Sequence, residues 1–167
     1  MRIFGLAGWS GSGKTTLMTA LIPEFVSRGV TVSTVKHAHH AFDIDQPGKD
    51  SWRHRQAGAR EVMVASDHRW ALMHELSGAC EPSLDELVRR MSPVDLVLVE
   101  GFKRHAHPKI EVYRRSVGKP LLHPDDPFVV AIAADESLPE FLVPWLSLSD
   151  ASAIASFILR HNNGLAR

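Results

Sequence analysis

Gly8-Trp9-Ser10-Gly11-Ser12-Gly13-Lys14-Thr15 fits the pattern G-x-x-x-x-G-K-[ST], and no other feature narrows the possible folds as much. A turn that meets polyphosphate with several inward-pointing N–H groups needs glycines, because side chains would block the approach and most residues resist the backbone angles required. Such a turn works where an apolar strand delivers it and a helix receives it, so that the helix N-terminus adds unpaired amides and a positive dipole end. Both neighbours are legible. Ile3 to Ala7 reads as a strand, and a helix starts near Lys14, with Leu17, Met18, Leu21, Ile22, Phe25 and Val26 in a stripe of period 3.6.

The rest of the chain alternates in the same way. Pro23 is expected to kink or interrupt the first helix, and Gly29 to cap its end. Val30 to Lys36 is β-branched and reads as the second strand. His37 to Lys49 is a long, polar, turn-rich loop of the kind that carries function. Asp50 is a candidate cap for a short helix over Ser51 to Ala57, closed by Gly58. Val62 to Ala65 and Trp70 to Met73 suggest a hairpin around Ser66 to Arg69. Ser83-Leu84-Asp85-Glu86 is a capping box for a helix reaching about Met91. Asp95 to Gly101 is a buried strand with a polar end, Lys109 to Tyr113 and Phe128 to Ala133 are further strands, and Asp150 opens a last helix to about His161. The expectation is a single α/β nucleotide-binding domain over residues 1–167, of P-loop NTPase type. Its mostly parallel sheet would carry helices on both faces, with the short hairpin added. Ligands in such sheets sit at the carboxyl ends of strands, which puts the loops after Ala7, Lys36 and Val99 at one mouth.

Composition removes several classes of function. Hydrophobic residues make up 44% and charged residues 23%, enough apolar material for a proper core. Lys plus Arg and Asp plus Glu number 19 each, which argues against nucleic acid as a partner. Cys80 is the single cysteine, so an intrachain disulfide and a thiolate metal cluster are both excluded, and a reducing compartment is expected. The apolar start ends too early, at Ser10, for a signal sequence, and the later run Phe128 to Ala134 is too short for a membrane span. The expectation is a cytoplasmic protein without membrane contact.

Chemistry concentrates in three loops. Gly8, Gly11, Ser12 and Gly13 would cradle phosphates with backbone amides, Lys14 would reach the outer phosphates, Thr15 would ligate Mg²⁺ and Thr16 would add a phosphate contact. Glu100 follows an apolar strand and is the candidate carboxylate for Mg²⁺, with Gly101 allowing close approach. In the loop after the second strand, Asp45 is a candidate to hold metal-bound water or orient the attacking water, with Asp43 and Asp50 as alternatives; solvated loop acids are the competing reading. The proposed catalytic set is Lys14, Asp45 and Glu100, and the metal set Thr15, Glu100 and Asp45. Other groupings are weaker. His37, His39 and His40 invite a Zn²⁺ or Ni²⁺ site but lack helical i, i+4 spacing and a nearby cysteine. Lys103, Arg104, Lys109, Arg114 and Arg115 form a basic stretch that suits an anionic partner. Arg53, Arg55 and Arg60 form a second basic cluster, and any of these arginines could serve as an arginine finger. Cys80 has no evident base partner, and Trp9 either stacks at the mouth or packs on the sheet.

The motifs taken together resemble the MobB family, the molybdopterin-guanine dinucleotide biosynthesis adapter proteins. The resemblance is carried by Ala7 to Leu17, Val35-Lys36-His37 with His39-His40, Asp43 to Ser51, Ala57-Gly58-Ala59, Val64-Ala65-Ser66, Arg69 to Met73 and Leu98-Val99-Glu100-Gly101-Phe102-Lys103. It covers most of residues 3–135. It implies a homodimeric GTP-binding protein with weak GTPase activity and Mg²⁺ as cofactor. Such a protein would assist the guanylyltransferase MobA, which joins GMP to molybdopterin, by delivering GTP or the pterin itself. It also implies that Gly11 to Thr16 bind phosphates, that Thr15 and Glu100 serve Mg²⁺, and that the loop from Asp43 to Asp50 is the switch. The usual guanine reader, Asn-Lys-x-Asp, is absent, and the asparagines are Asn162 and Asn163. Asp135, at a strand terminus, is the candidate acceptor for guanine N1–H and its amino group. The competing readings are a small-molecule kinase and a nickel-type metallochaperone GTPase.

Overall fold

The structure is a computed structural model that describes residues 1–38, 42–137 and 143–161. It divides into two compact units, Met1–His37 with Val88–Arg167, and Ala38–Leu87. In chain order the elements are β1 (Arg2–Ala7), α1 (Lys14–Ser27), β2 (Val32–Lys36), α2 (Asp50–Gln56), β3 (Glu61–Ala65), β4 (Trp70–His74) and α3 (Leu84–Arg89). They continue with β5 (Leu96–Glu100), β6 (Lys109–Tyr113), β7 (Val129–Ala134), β8 (Trp145–Ser147) and α4 (Ala151–Arg160). Six strands form a parallel sheet in the order β2-β5-β1-β6-β7-β8, while β3 and β4 pair antiparallel in the second unit. The expected P-loop NTPase-type sheet and the added hairpin are both present.

Alternation along the strands sorts the two faces of the large sheet. Phe4, Leu6, Leu96, Leu98, Ile110 and Val112 point to one face, where they form a single core with Leu17, Leu21 and Phe25 of α1 and Ile154 and Ile158 of α4. The opposite face is buried as well but is partly polar: Val97 and Val99 share it with Lys109 and Glu111. The segment after β5 supplies the partners these charges require. The Lys109 ammonium donates to the carbonyls of Lys103 and His105 at 2.9 and 2.8 Å and pairs with Asp126 at 3.0 Å. The Glu111 carboxylate accepts the amides of Leu122 and His123 at 2.8 and 2.9 Å. Burial pushes the Glu111 carboxyl up, against the pull of those two amides.

Element boundaries differ from those the sequence pattern suggests where caps decide them. Pro23 sits inside an unbroken α1. It lies on the exposed side together with Thr19, whose carbonyl loses its helical partner where water can replace it. Val30 belongs to the helix end rather than to β2: Gly29, at φ +75°, donates to the Val26 carbonyl and Val30 to that of Phe25, the paired bonds of a Schellman cap. Lys49 is the N-cap of α2, so Asp50 is its first helical residue. Phe128 precedes β7 because its amide is held by the Asp126 carboxylate. The capping box is present, with Ser83 and Glu86 bonded reciprocally at 2.8 and 3.3 Å, although α3 stops at Arg89. The Asp150 carboxylate caps α4 by accepting from the Ala153 amide at 2.8 Å.

Two outcomes follow from this packing. Phe25→Ala empties a fully buried site in the α1 core and is expected to lower the free energy of unfolding by about 3–5 kcal/mol in urea titration. His107 is buried, and burial, with Lys109 and His105 adding positive field, lowers its imidazole from 6.5 to about 4. Between those two values the unfolded chain binds a proton that the folded chain refuses, so stability falls as pH drops through that window. Urea titrations at pH 7, 6 and 5 should show this loss, and His107→Gln should flatten it.

Candidate functional site

The phosphate loop leaves β1 where the sheet holds three strand ends level. Leu6 of β1 lies opposite Glu100 of β5, and Glu100 lies opposite Lys36 of β2. The loop between β1 and α1 turns on Gly8, Gly11 and Gly13 at φ +142°, +82° and +97°, the region that excludes most side chains. Gly8 is also a packing requirement, since a Cβ there would stand 2.4 Å from the Val112 carbonyl oxygen. Gly13 is the N-cap of α1, with no side-chain cap and no acidic residue in the first turn. The leading amides and the positive end of the helix dipole are therefore left uncompensated by the chain itself, which suits an anion.

Three of the residues singled out in the sequence meet here. The Lys14 ammonium folds back to the Trp9 carbonyl at 2.8 Å. Burial lowers its pKa first, and the charges of Lys103 and Lys36 add to that, while Glu100 opposes them. The Thr15 hydroxyl donates to Glu100 Oε1 at 2.8 Å, and Lys36 stands 3.8 Å from the same oxygen. A hydroxyl and a carboxylate side by side are hard oxygen donors of the kind Mg²⁺ prefers, so these residues fit that ion. Thr16 follows them exposed on the first turn of α1. Ser12 turns inward instead: its side chain is buried and its amide donates to the Trp9 carbonyl at 3.2 Å.

On the other side of the loop, the Arg114 guanidinium donates from Nε to the Ser12 carbonyl at 3.2 Å and pairs with Asp135 at 3.0 Å. Asp135, just past β7, is thereby linked to the phosphate loop through one side chain. In the sequence Arg114 is one charge in a basic stretch. Its role depends on β6 lying beside β1, and only the strand order reveals that. At Trp9, the indole N–H donates to the Pro120 carbonyl at 2.7 Å, and the Lys103 ammonium lies 4.6 Å from the ring centroid.

Asp43 and Asp45 belong to the second unit. There the Arg55 guanidinium bonds both carboxylates and Glu75, at 2.7 to 3.3 Å. Asp45 also accepts from the Gln46 amide and the Ser51 hydroxyl. The bond from Arg55 lowers the Asp43 carboxyl and raises the guanidinium further. Asp50 opens α2. Arg53 and Arg60 are exposed, and so is Cys80. His39, His40, Asn162 and Asn163 lie outside the described residues. Among the described residues, no group of three or more His, Cys, Asp or Glu side chains is placed to hold a metal ion.

The model of the family described as MobB, molybdopterin guanine dinucleotide synthesis protein B, matches residues 3–135. The molybdopterin-guanine dinucleotide biosynthesis adapter protein of Haemophilus influenzae is 43% identical over 167 residues, covering 97% of this chain and 92% of that protein. The protein of the same description from Escherichia coli is 42% identical over 160 residues, covering 94% and 91%. A solved crystal structure of molybdopterin-guanine biosynthesis protein B superposes with a TM-score of 0.72 at 30% identity, over 94% of this chain and 97% of that one.

The Thr15–Glu100 pair generates a direct expectation. Glu100→Gln keeps the shape and removes the charge that a divalent ion would meet. Isothermal titration of Mg²⁺ in the presence of nucleoside triphosphate should show metal affinity falling roughly tenfold, in line with losing a charged partner. Nucleotide binding without metal should change little.

Proposed function

The chain belongs to the MobB family, whose members act in molybdopterin-guanine dinucleotide biosynthesis, and from that premise we propose that it is a GTP-binding, weakly hydrolytic adapter. The observation that carries this reading is the Thr15 hydroxyl at 2.8 Å from Glu100, directly behind Lys14 at the mouth of the glycine loop. In the proposal the loop amides and Lys14 hold the triphosphate, and Thr15 and Glu100 hold Mg²⁺, which would neutralise charge on the outer phosphates. Water attacks the γ-phosphorus, the bond to the β-phosphate oxygen breaks, and GDP and phosphate leave. Turnover is slow on this reading, because the loop supplies positioning and charge rather than a paired acid and base.

Guanine is favoured over adenine by Asp135. A carboxylate accepts from the N1–H and amino group of guanine, whereas adenine offers a lone pair in place of N1–H. Arg114 holds that carboxylate beside the phosphate loop. In the second unit, the loop from Asp43 to Asp50 is the proposed switch. Asp45 would be its γ-phosphate-responsive residue, and Arg55 would fix its resting form.

The proposed partners are the guanylyltransferase MobA, with molybdopterin or GTP as cargo, and a second copy of the chain. The hairpin supports the homodimer. Met63 and Leu72 are cross-strand partners, and Trp70 lies on the same face; they are 62%, 44% and 66% exposed, an apolar surface that one copy leaves in water. No helix among the described residues is long and apolar enough to cross a membrane, which is compatible with the proposed work in the cytoplasm.

Three measurements test the proposal. GTP with Mg²⁺ should raise the melting temperature more than ATP does, and Lys14→Ala should abolish phosphate release from GTP while the unliganded protein melts as before; equal protection by ATP would count against the guanine assignment. Light scattering should give a dimer mass, and Leu72→Glu should shift it to the monomer.

A further inference from the structure

Lys103 lies outside the glycine motif, yet the fold works to hold it beside that motif. It follows Glu100 by three residues, and the turn between them is unusual. Gly101 is at φ +95° and Phe102 at φ +47°, a left-handed conformation that a non-glycine residue adopts only when its surroundings impose it. Those surroundings are visible. The Phe102 ring lies 4.7 Å from the His37 ring, and a Cβ on Gly101 would stand 2.8 Å from that of His37. Beyond the turn, the Lys109 ammonium, 1% exposed, grips the Lys103 and His105 main-chain carbonyls. Burying an ammonium is costly, and here it is spent on fixing the segment that carries Lys103.

The destination of that side chain is Trp9, inside the phosphate loop. Trp9 receives two ammonium groups at once: Lys14 on its carbonyl at 2.8 Å and Lys103 over its ring at 4.6 Å. The indole itself is tethered to the Pro120 carbonyl. Two like charges thus converge on one residue of the loop. Lys36 already faces Glu100, and Arg114 is held by Asp135. Holding two ammonium groups on one residue costs repulsion that a polyanion placed between them would remove, and a cation–π contact is weak enough to exchange for a phosphate oxygen.

We propose that Lys103 is a second phosphate-binding lysine of the nucleotide site, resting on the Trp9 ring and moving onto the outer phosphates when a triphosphate binds. The proposal rests on the nucleotide reading above and deepens it. Lys109 is the corresponding positioning residue, since it acts only through the loop it holds. Release of the ring makes Trp9 an internal reporter of the exchange.

The test uses the whole chain with Mg²⁺ and three probes: GTP, GDP and inorganic tripolyphosphate. Lys103→Met should weaken GTP and tripolyphosphate roughly tenfold, the scale of a lost charge-assisted hydrogen bond, and GDP distinctly less. Lys103→Arg should stay close to the wild type. Tryptophan emission should change on adding GTP to the wild type, and that change should be missing in Lys103→Met at saturation and in Trp9→Phe. Should the methionine variant fail to fold, Lys103→Gln carries the same comparison. Wild-type-like GTP affinity and an unaltered emission change in folded Lys103→Met would overturn the assignment while leaving the nucleotide site intact. A wild type that binds none of the three probes would remove the nucleotide reading, and Lys103 with it.

Discussion

The parallel register of β2, β5 and β1 is the constraint on which the site depends. Ladder hydrogen bonds fix Lys36, Glu100 and Leu6 at one level, although they are far apart in the chain. Once that is set, little freedom remains. The chain leaving β1 must pass the end of β5, and the first turn of α1 must bring Thr15 against Glu100. A one-residue slip would reverse the faces of Leu96 and Val97 and carry Glu100 away from the mouth. The apolar core under α1 and α4 therefore protects more than stability, because it holds the register that aligns hydroxyl and carboxylate.

The opposite face of the sheet shows what such a site costs. Apolar side chains alone would bury it more simply, yet Lys109 and Glu111 are there, each fully satisfied by the segment between β5 and β7. Two buried charges hold that segment by its backbone at both ends, Lys109 near residues 103–105 and Glu111 at residues 122–123. A segment held by its main chain keeps its side chains available, and from it the Lys103 ammonium meets the Trp9 ring while the Pro120 carbonyl accepts the indole N–H. Buried charge here buys placement rather than raw stability.

Much of this was legible in the sequence where the signal is local. The glycine loop, the α1 stripe (except Val26, which is exposed beside the helix end), the Ser83–Glu86 box, the Asp150 cap and the hairpin around Ser66 to Arg69 are each written within a few residues, and each is present. Glu100 could be placed because a polar residue ending an apolar strand has few alternatives in a parallel sheet. What stayed illegible depends on pairing between distant segments. The role of Arg114 needs β6 to lie beside β1. That of Lys103 needs the strained turn at Phe102 and the buried grip of Lys109, and neither has a sequence signature. The strand Trp145–Ser147 is too short to announce itself, and Val30 reads as strand until the Schellman bonds claim it. The aspartates of the long loop stand out as a group, but nothing in the sequence singles out Arg55, one of three candidate finger arginines, as their common partner.

That last point bears on which arginine can travel to a reacting phosphate. Arg55 is tied to Asp43, Asp45 and Glu75 together, and to move it must leave three carboxylates behind. Arg114 is tied to a main-chain carbonyl of the loop itself and to one half-exposed carboxylate, so it is fixed beside the loop rather than aimed beyond it. Neither is poised as a free finger. On the proposed reading, a site with a built phosphate cradle and no uncommitted arginine from these two hydrolyses its nucleotide slowly. For an adapter this is the useful regime, since a long-lived bound state can be presented to a partner enzyme, whereas a fast hydrolase would empty the site before the encounter.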